Sequence, residues 1–206
     1  MRDVILTAYL TGQPDPQRGT IWPVDNADLL PLLTSSPVPV VVFANELSGP
    51  FVERVEAPKS VYFDRWRHIA NYLRAHEDIR FAWCVDATDV VVFHDPFPHM
   101  RPGKLYIGSE PVNLRSYWMV RHHRPFWRWM KDNASLPLLN CGLVGGDRET
   151  VLRFAERMGQ EQRGCVMDMG AANFLAYEEF DIVTGPMVHT LYKAEEANSL
   201  AWFKHK

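Results

Sequence analysis

Residues 81–97 read FAWCVDATDVVVFHDPF, and the parsing of this stretch decides the fold. Phe81 to Val85 is a continuous apolar run of strand length. It lacks the alternation of a strand wet on one face, and such runs belong in sheets that helices cover on both sides. The run ends at Asp86-Ala87-Thr88-Asp89. A second apolar run follows, Val90 to Phe93, closed by His94-Asp95-Pro96 because proline cannot continue a central strand. Residues two apart on a strand share a face and residues three apart do not. Asp86 and Asp89 therefore converge only if the backbone leaves the strand between them. Two ionised carboxylates repel across such a turn, and Mg²⁺ or Mn²⁺, which favour oxygen ligands, relieve that repulsion. The plainer alternative has Asp86 capping the turn and Asp89 bonding backbone amides. Asp95 opens an Asp-Pro turn and His94 packs at the strand flank, so neither joins the pair.

Upstream, residues 3–10 read as a strand that runs into a turn-rich stretch from Thr11 to Gly19. Pro37-Val38-Pro39 delivers the chain into a second strand near 39–44. Ser60 to His76 has helical spacing, with Ser60 as N-cap and Tyr62, Trp66, Ile69 and Leu73 as the buried stripe. Arg65, His68 and Arg74 fall off that stripe. Downstream, Lys104 to Ser109 is a strand. Residues 113–133 mix aromatic and basic side chains, and Pro125 interrupts any single helix. Leu138 to Leu143 returns to the sheet and runs into a glycine turn at Gly145-Gly146. Asp147 then caps a helix that buries Val151, Phe154, Ala155 and Met158. Met167 to Tyr177 predicts a further helix and Phe180 to Val183 a short strand, while residues 187–206 show little regular periodicity. Strand, helix and strand in this order predict an α/β fold with parallel strands.

The composition narrows the function classes. The 206 residues are 47% apolar and 23% charged, which excludes a mostly disordered chain and supplies one good core. Lys and Arg number 22 against 25 Asp and Glu, a net charge of −3 with a sequence pI of about 6.2. That balance argues against a bulk nucleic-acid binder. Cys84, Cys141 and Cys165 form neither a disulfide framework nor a zinc spacing and read as reduced. The N-terminal apolar run is too short for a spanning helix and has no cleavage pattern, so a cytoplasmic chain without a transmembrane segment is expected. One domain, 1–206, is expected, with the oligomeric state left open.

The segment VDATDVVVFHDPF resembles the metal and donor motif of small glycosyltransferases of the GT-A class, in its looser Asp-x-x-Asp form. Three more segments follow in the order that class uses. LLNCGLVGGDRETVLRFAERM is similar to its Asn-x-Gly segment before a helix, MDMGAANFLAY to its Asp-led helix, and VTGPMVHTLYK to its late His segment. Met169 stands where relatives often carry Gln. The matches run from residue 81 to residue 193, with residues 3–10 as the nucleotide-binding strand. The resemblance implies a single mixed, mostly parallel sheet flanked by helices, with residues 1–109 mainly a nucleotide-sugar half and 110–206 mainly an acceptor half and tail. It implies metal-dependent transfer of a sugar from a nucleotide-diphosphate donor, a UDP-sugar by preference, to a hydroxyl acceptor.

On that resemblance Asp86, Asp89 and His189 would hold Mn²⁺ or Mg²⁺, with Asp86 also beside the donor ribose. Thr7, Ala8 and Tyr9 would line the nucleotide, and Arg65 and Lys193 would approach the donor phosphates. Asn140 would bond a sugar hydroxyl, while Gly142 would allow close approach of the ligand. Asp168, then Glu110, are the candidate catalytic bases. Each has a plainer explanation: a packed histidine, a solvated helix arginine, a helix-capping aspartate. Trp118, Trp127 and Trp129, set among Arg121, His122, His123 and Arg124, form an acceptor-side region, although such residues also suit an anionic lipid surface or nucleic acid. Two other functions fit less well. A nucleotidyltransferase needs a glycine-rich basic loop that residues 4–20 supply poorly, and a noncatalytic carbohydrate-binding or scaffold protein would bind without turnover.

Overall fold

The computed structural model describes residues 1–25, 27–190 and 200–205. In chain order the elements are β1 (Arg2–Tyr9), α1 (Leu30–Ser35), β2 (Val40–Ala44), β3 (Val52–Arg54), α2 (Val61–Ala75), β4 (Ile79–Val85) and β5 (Val90–Val92). They continue with β6 (Leu105–Asn113), α3 (Tyr117–His122), α4 (Trp127–Asp132), β7 (Pro137–Asp147), α5 (Arg148–Gln160), α6 (Met169–Glu179), β8 (Ile182–Val183) and β9 (Phe203–His205). Among the described residues, seven strands form one sheet in the order β3-β2-β1-β4-β7-β6-β8. Within it β7 runs antiparallel to β4 and β6, and the remaining pairings are parallel. This is the α/β architecture with a mixed, mostly parallel sheet, consistent with a GT-A-like fold. β6 runs through residues 109 and 110, so both halves of the chain share one sheet.

The apolar runs without alternation have the predicted cause. Val4 and Leu6 of β1, with Ala82 and Cys84 of β4, bury against Trp66, Ile69 and Leu73 of α2 and Phe154 of α5. Their alternates Ile5, Phe81, Trp83 and Val85 bury on the opposite face with Leu32, Trp202 and Phe203. Each face is covered, so neither needs polar residues. Ser60 and Asp147 both cap as expected, Ser60 accepting from the Phe63 amide at 3.4 Å and Asp147 from the Thr150 amide at 3.1 Å. Pro125 sits in the tight turn Arg124–Phe126 that separates α3 from α4.

One expectation needs correction. Gly145-Gly146 is no turn but part of β7, where the Trp83 indole lies against Gly145 and the Lys104 carbonyl would stand 2.9 Å from a Cβ on Gly146. The described residues of the tail, 187–190 and 200–205, also pair with one another and with β5, although residues 187–206 show little regular periodicity. Val188 and Thr190 exchange backbone bonds with Phe203, and β9 pairs antiparallel with β5, setting His205 opposite Val90 and Phe203 opposite Val92. No helix of the described residues is long and apolar enough to cross a membrane.

Candidate functional site

β1 lies between β2 and β4, parallel to both, so the carboxyl ends of all three strands reach the same edge of the sheet. In open α/β sheets ligands bind in a crevice outside such carboxyl ends. A cavity of about 300 Å³ occupies it. Its inner wall is made by Ala8 and Tyr9 at the end of β1, the 86–89 loop, Asn140 to Gly142 of β7, and Asp168 at the head of α6.

β7 reaches the cavity through a bulge. Ile107 of β6 pairs with Val144, but the next residue, Gly108, pairs with Asn140, so Cys141, Gly142 and Leu143 are extra on the β7 side. Bulges of this kind bend a strand and re-aim its side chains beside a site. Asn140 braces the bulge, its side-chain carbonyl accepting from the Gly142 amide at 2.8 Å while its Nδ2 donates to Glu110 at 2.8 Å.

Arg65 ties the inner wall together. Its Nη1 donates to Asp86 at 2.7 Å, its Nη2 to Asp168 at 2.7 Å and to the Cys141 carbonyl at 3.2 Å, and its Nε to Asp168 at 3.1 Å. Trp66 Nε1 adds a third donor to the same Asp168 oxygen at 2.8 Å, and the Arg65 guanidinium lies over the Trp66 ring. Burial disfavours the charged guanidinium, but Asp168, Cys141 and Asp86 outweigh that cost and hold its pKa above the ordinary value. Burial, reinforced by Asp168, pushes the Cys141 thiol far above its ordinary range, so it is an inert wall atom.

Asp86 and Asp89, which line the cavity, meet the buried His205. Each offers an atom within 4.8 Å of the others, an arrangement able to hold a metal ion. His205 Nε2 lies 3.4 Å from Asp86 Oδ2 and 3.7 Å from Asp89 Oδ1. The backbone leaves the strand at 86–89, as convergence of the two carboxylates requires. Gly142 makes the cluster geometrically possible, since a Cβ there would stand 2.5 Å from both Asp86 Oδ2 and His205 Cε1. Two carboxylates and an imidazole make a mixed oxygen and nitrogen donor set. That set suits Mn²⁺ better than Mg²⁺, which prefers oxygen throughout.

The expected residues divide sharply. Ala8, Tyr9, Arg65, Asp86, Asp89, Glu110, Asn140, Gly142 and Asp168 all line the cavity. Thr7 does not, because its hydroxyl is buried and donates to the Val85 carbonyl at 2.8 Å. His189 is placed elsewhere than expected: its Nε2 meets the backbone of Ser109, and burial holds its pKa below the ordinary value. His205 joins Asp86 and Asp89 in its stead. Arg65 is no solvated helix residue, since its guanidinium is buried and donates to Asp86, Asp168 and the Cys141 carbonyl. Gly142 leaves room for Asp86 and His205. Asp168 makes no capping bond to its own helix. Lys193 lies outside the described residues.

The rest of the lining, the outer wall, was only partly legible beforehand. Asp15, Gln17, Arg18 and Trp22 come from the loop after β1 and were not foreseen, while Trp118, expected on the acceptor side, comes from α3. Asp15 Oδ1 accepts from the amides of Gln17 and Arg18 at 2.7 and 3.2 Å and from the Tyr62 hydroxyl at 2.9 Å. Burial, then Asp15, raises the Tyr62 pKa, so the phenol stays a donor. Arg18 lies 5.3 Å over the Trp22 ring, which packs at a tilt on Tyr9. No protein-family model matches the chain, and no curated protein matches its sequence.

Proposed function

We propose that this chain is a metal-dependent glycosyltransferase of the GT-A class, moving a sugar from a nucleotide-diphosphate donor, a UDP-sugar by preference, to a hydroxyl acceptor. The observation that carries the reading is the acid and histidine group Asp86, Asp89 and His205, whose two carboxylates line the cavity beyond β1 and β4. These three residues would hold Mn²⁺, which when bound neutralises charge on the departing diphosphate.

The chain's own groups supply the rest. Arg65 holds Asp86 in a fixed orientation, so this carboxylate does not have to be reorganised when a donor enters. In the transfer, an acceptor oxygen bonds to the anomeric carbon as the bond from that carbon to the diphosphate oxygen breaks. The acceptor proton needs a carboxylate. Asp168 is already saturated at Oδ2 by Arg65 and Trp66, and its Oδ1 accepts from the Cys141 thiol at 3.4 Å. Glu110 has one described side-chain donor, Asn140, and lines the cavity, so it takes the proton in this scheme. Asp168 is then a positioning residue acting through Arg65. Trp22, partly exposed and backed by the buried Tyr9, offers aromatic surface for a base.

A screen of UDP- and GDP-sugars with Mn²⁺, read as nucleoside diphosphate release, tests the reading. Wild type releases nucleoside diphosphate, chelation abolishes the release, and Asp89→Asn stays folded while losing at least tenfold in Mn²⁺-dependent donor affinity by calorimetry. Unchanged affinity in Asp89→Asn rejects the metal assignment. Pyrophosphate released from a nucleoside triphosphate and a sugar phosphate would favour the nucleotidyltransferase, and donor binding without turnover would favour the noncatalytic protein.

A further inference from the structure

The segment from Pro111 to Lys131 holds Arg115, Arg121, Arg124, Arg128 and Lys131 and no acidic residue. The whole chain carries −3, so the remainder carries −8 once these five charges are set aside. This segment is therefore net positive in a chain whose remainder is net negative. None of the five makes an ion pair among the described residues, whereas Arg2, Arg74, Arg80, Arg148 and Arg157 elsewhere all do.

The structure shows how these charges are displayed. A helical period runs through α3, the Arg124–Phe126 turn and α4. Met119, His123, Phe126 and Met130 are buried at spacings of four, three and four residues. They anchor the segment, Phe126 packing on Phe174 of α6 and His123 Nδ1 accepting from the Gly170 amide at 3.2 Å. The opposite stripe, Tyr117, Val120, Arg121, Arg124, Trp127 and Lys131, is exposed. Its apolar members are large and unusually open for such residues, Tyr117 at 77%, Val120 at 44% and Trp127 at 53%. A stripe that alternates cations with aromatic and aliphatic side chains matches the boundary between charged headgroups and acyl chains. There Trp and Tyr seat their rings and Arg meets phosphate. A nucleic acid would engage the cations but would leave Val120 without a role.

We propose that this face docks on an anionic phospholipid surface as a peripheral contact. The same short helix carries Trp118 on the cavity wall, one residue from Tyr117. Docking therefore brings the cavity mouth close to the lipid, and, resting on the sugar-transfer reading, it makes the acceptor a hydroxyl presented at a membrane interface.

Sedimentation with vesicles tests the proposal without donor, acceptor or turnover, so its failure and the failure of sugar transfer are separable. Vesicles of phosphatidylcholine alone are compared with vesicles containing about one-third phosphatidylglycerol. The full chain binds the anionic vesicles at least tenfold more tightly, and the advantage shrinks in high salt as screening shortens the reach of the charges. Each arginine near such a surface contributes about fivefold, so Arg121→Gln, Arg124→Gln and Arg128→Gln together lower binding about a hundredfold. Trp127→Ala, which keeps every charge, lowers it about tenfold. All four positions lie off the buried stripe, and circular dichroism verifies that the variants are folded. Equal binding to both vesicle types, or wild-type binding by the triple variant, overturns the proposal. So does binding of a single-stranded oligonucleotide in the absence of vesicle binding.

Discussion

The cavity has two walls of opposite character. The inner wall is closed chemistry: Arg65 is 13% exposed at its side chain and Asp168 4%, and their polar atoms are spent on one another, on Asp86 and on the bulge of β7. The outer wall is open: Gln17 and Arg18 are exposed, and Trp22 and Trp118 are partly so. On the sugar-transfer reading proposed above, the difference would separate two tasks. Charges that must meet a diphosphate at a set place gain from a support that cannot relax. Surfaces that select a base or an acceptor gain from side chains that can adapt.

The sharpest way to break this comparison is Arg65→Met. It leaves Asp168 and Asp86 without their cation in a buried setting, a loss worth about 3–5 kcal/mol, read from urea denaturation at neutral pH. A loss under about 1 kcal/mol would show that the inner wall is not held by this ion pair network. Gly142→Ala comes next. Its Cβ would overlap Asp86 and His205, so overpacking costs about 1–3 kcal/mol and Mn²⁺ affinity falls at least tenfold in calorimetry. His205→Ala should match that loss of affinity while His189→Ala spares it, and the reverse result would return His189 to the metal site.

Acidification probes the support behind the outer wall. Burial pulls His123 down to about 4 from an ordinary value near 6.5. The unfolded chain therefore binds the extra proton first. The stabilising effect of neutral His123 is complete above about pH 7 and is lost as pH falls from about 6.5 towards 4. At pH 5 the loss is about 2 kcal/mol, and His123→Phe should flatten that slope in urea titrations at pH 7.5 and pH 5. The smallest effect on stability is Trp22→Ala on the open wall, within about 0.5 kcal/mol. Its donor affinity nevertheless falls about fivefold, as loss of one aromatic stacking surface predicts. Equal affinity would remove Trp22 from base recognition.

The two walls were also unequally legible. On the inner one, Asp86 and Asp89 stand out because two acids interrupt apolar strands, and Asn140 and Gly142 because polar and minimal residues sit in a buried run. His205 had a fainter signal, the alternation of buried Phe203, partly exposed Lys204 and buried His205. A three-residue strand is too short for periodicity to declare itself without its partner, β5. Helical spacing sets Arg65 off the buried stripe, and what turns that flank inward is partners far along the chain, Asp86, Cys141 and Asp168.

Local sequence alone determined β1, β2, α2, β4, β6, α5 and α6, the caps at Ser60 and Asp147, the two-faced burial of β1 and β4, and the break that lets Asp86 and Asp89 approach. Those features depend on backbone geometry and side-chain period, which act over a few residues. Tertiary structure alone decided which histidine joins the acids, that Gly142 makes room for them, and that Arg65 is the keystone of the wall. Each of these depends on distances between segments brought together by packing, and no interval along the chain encodes such a distance.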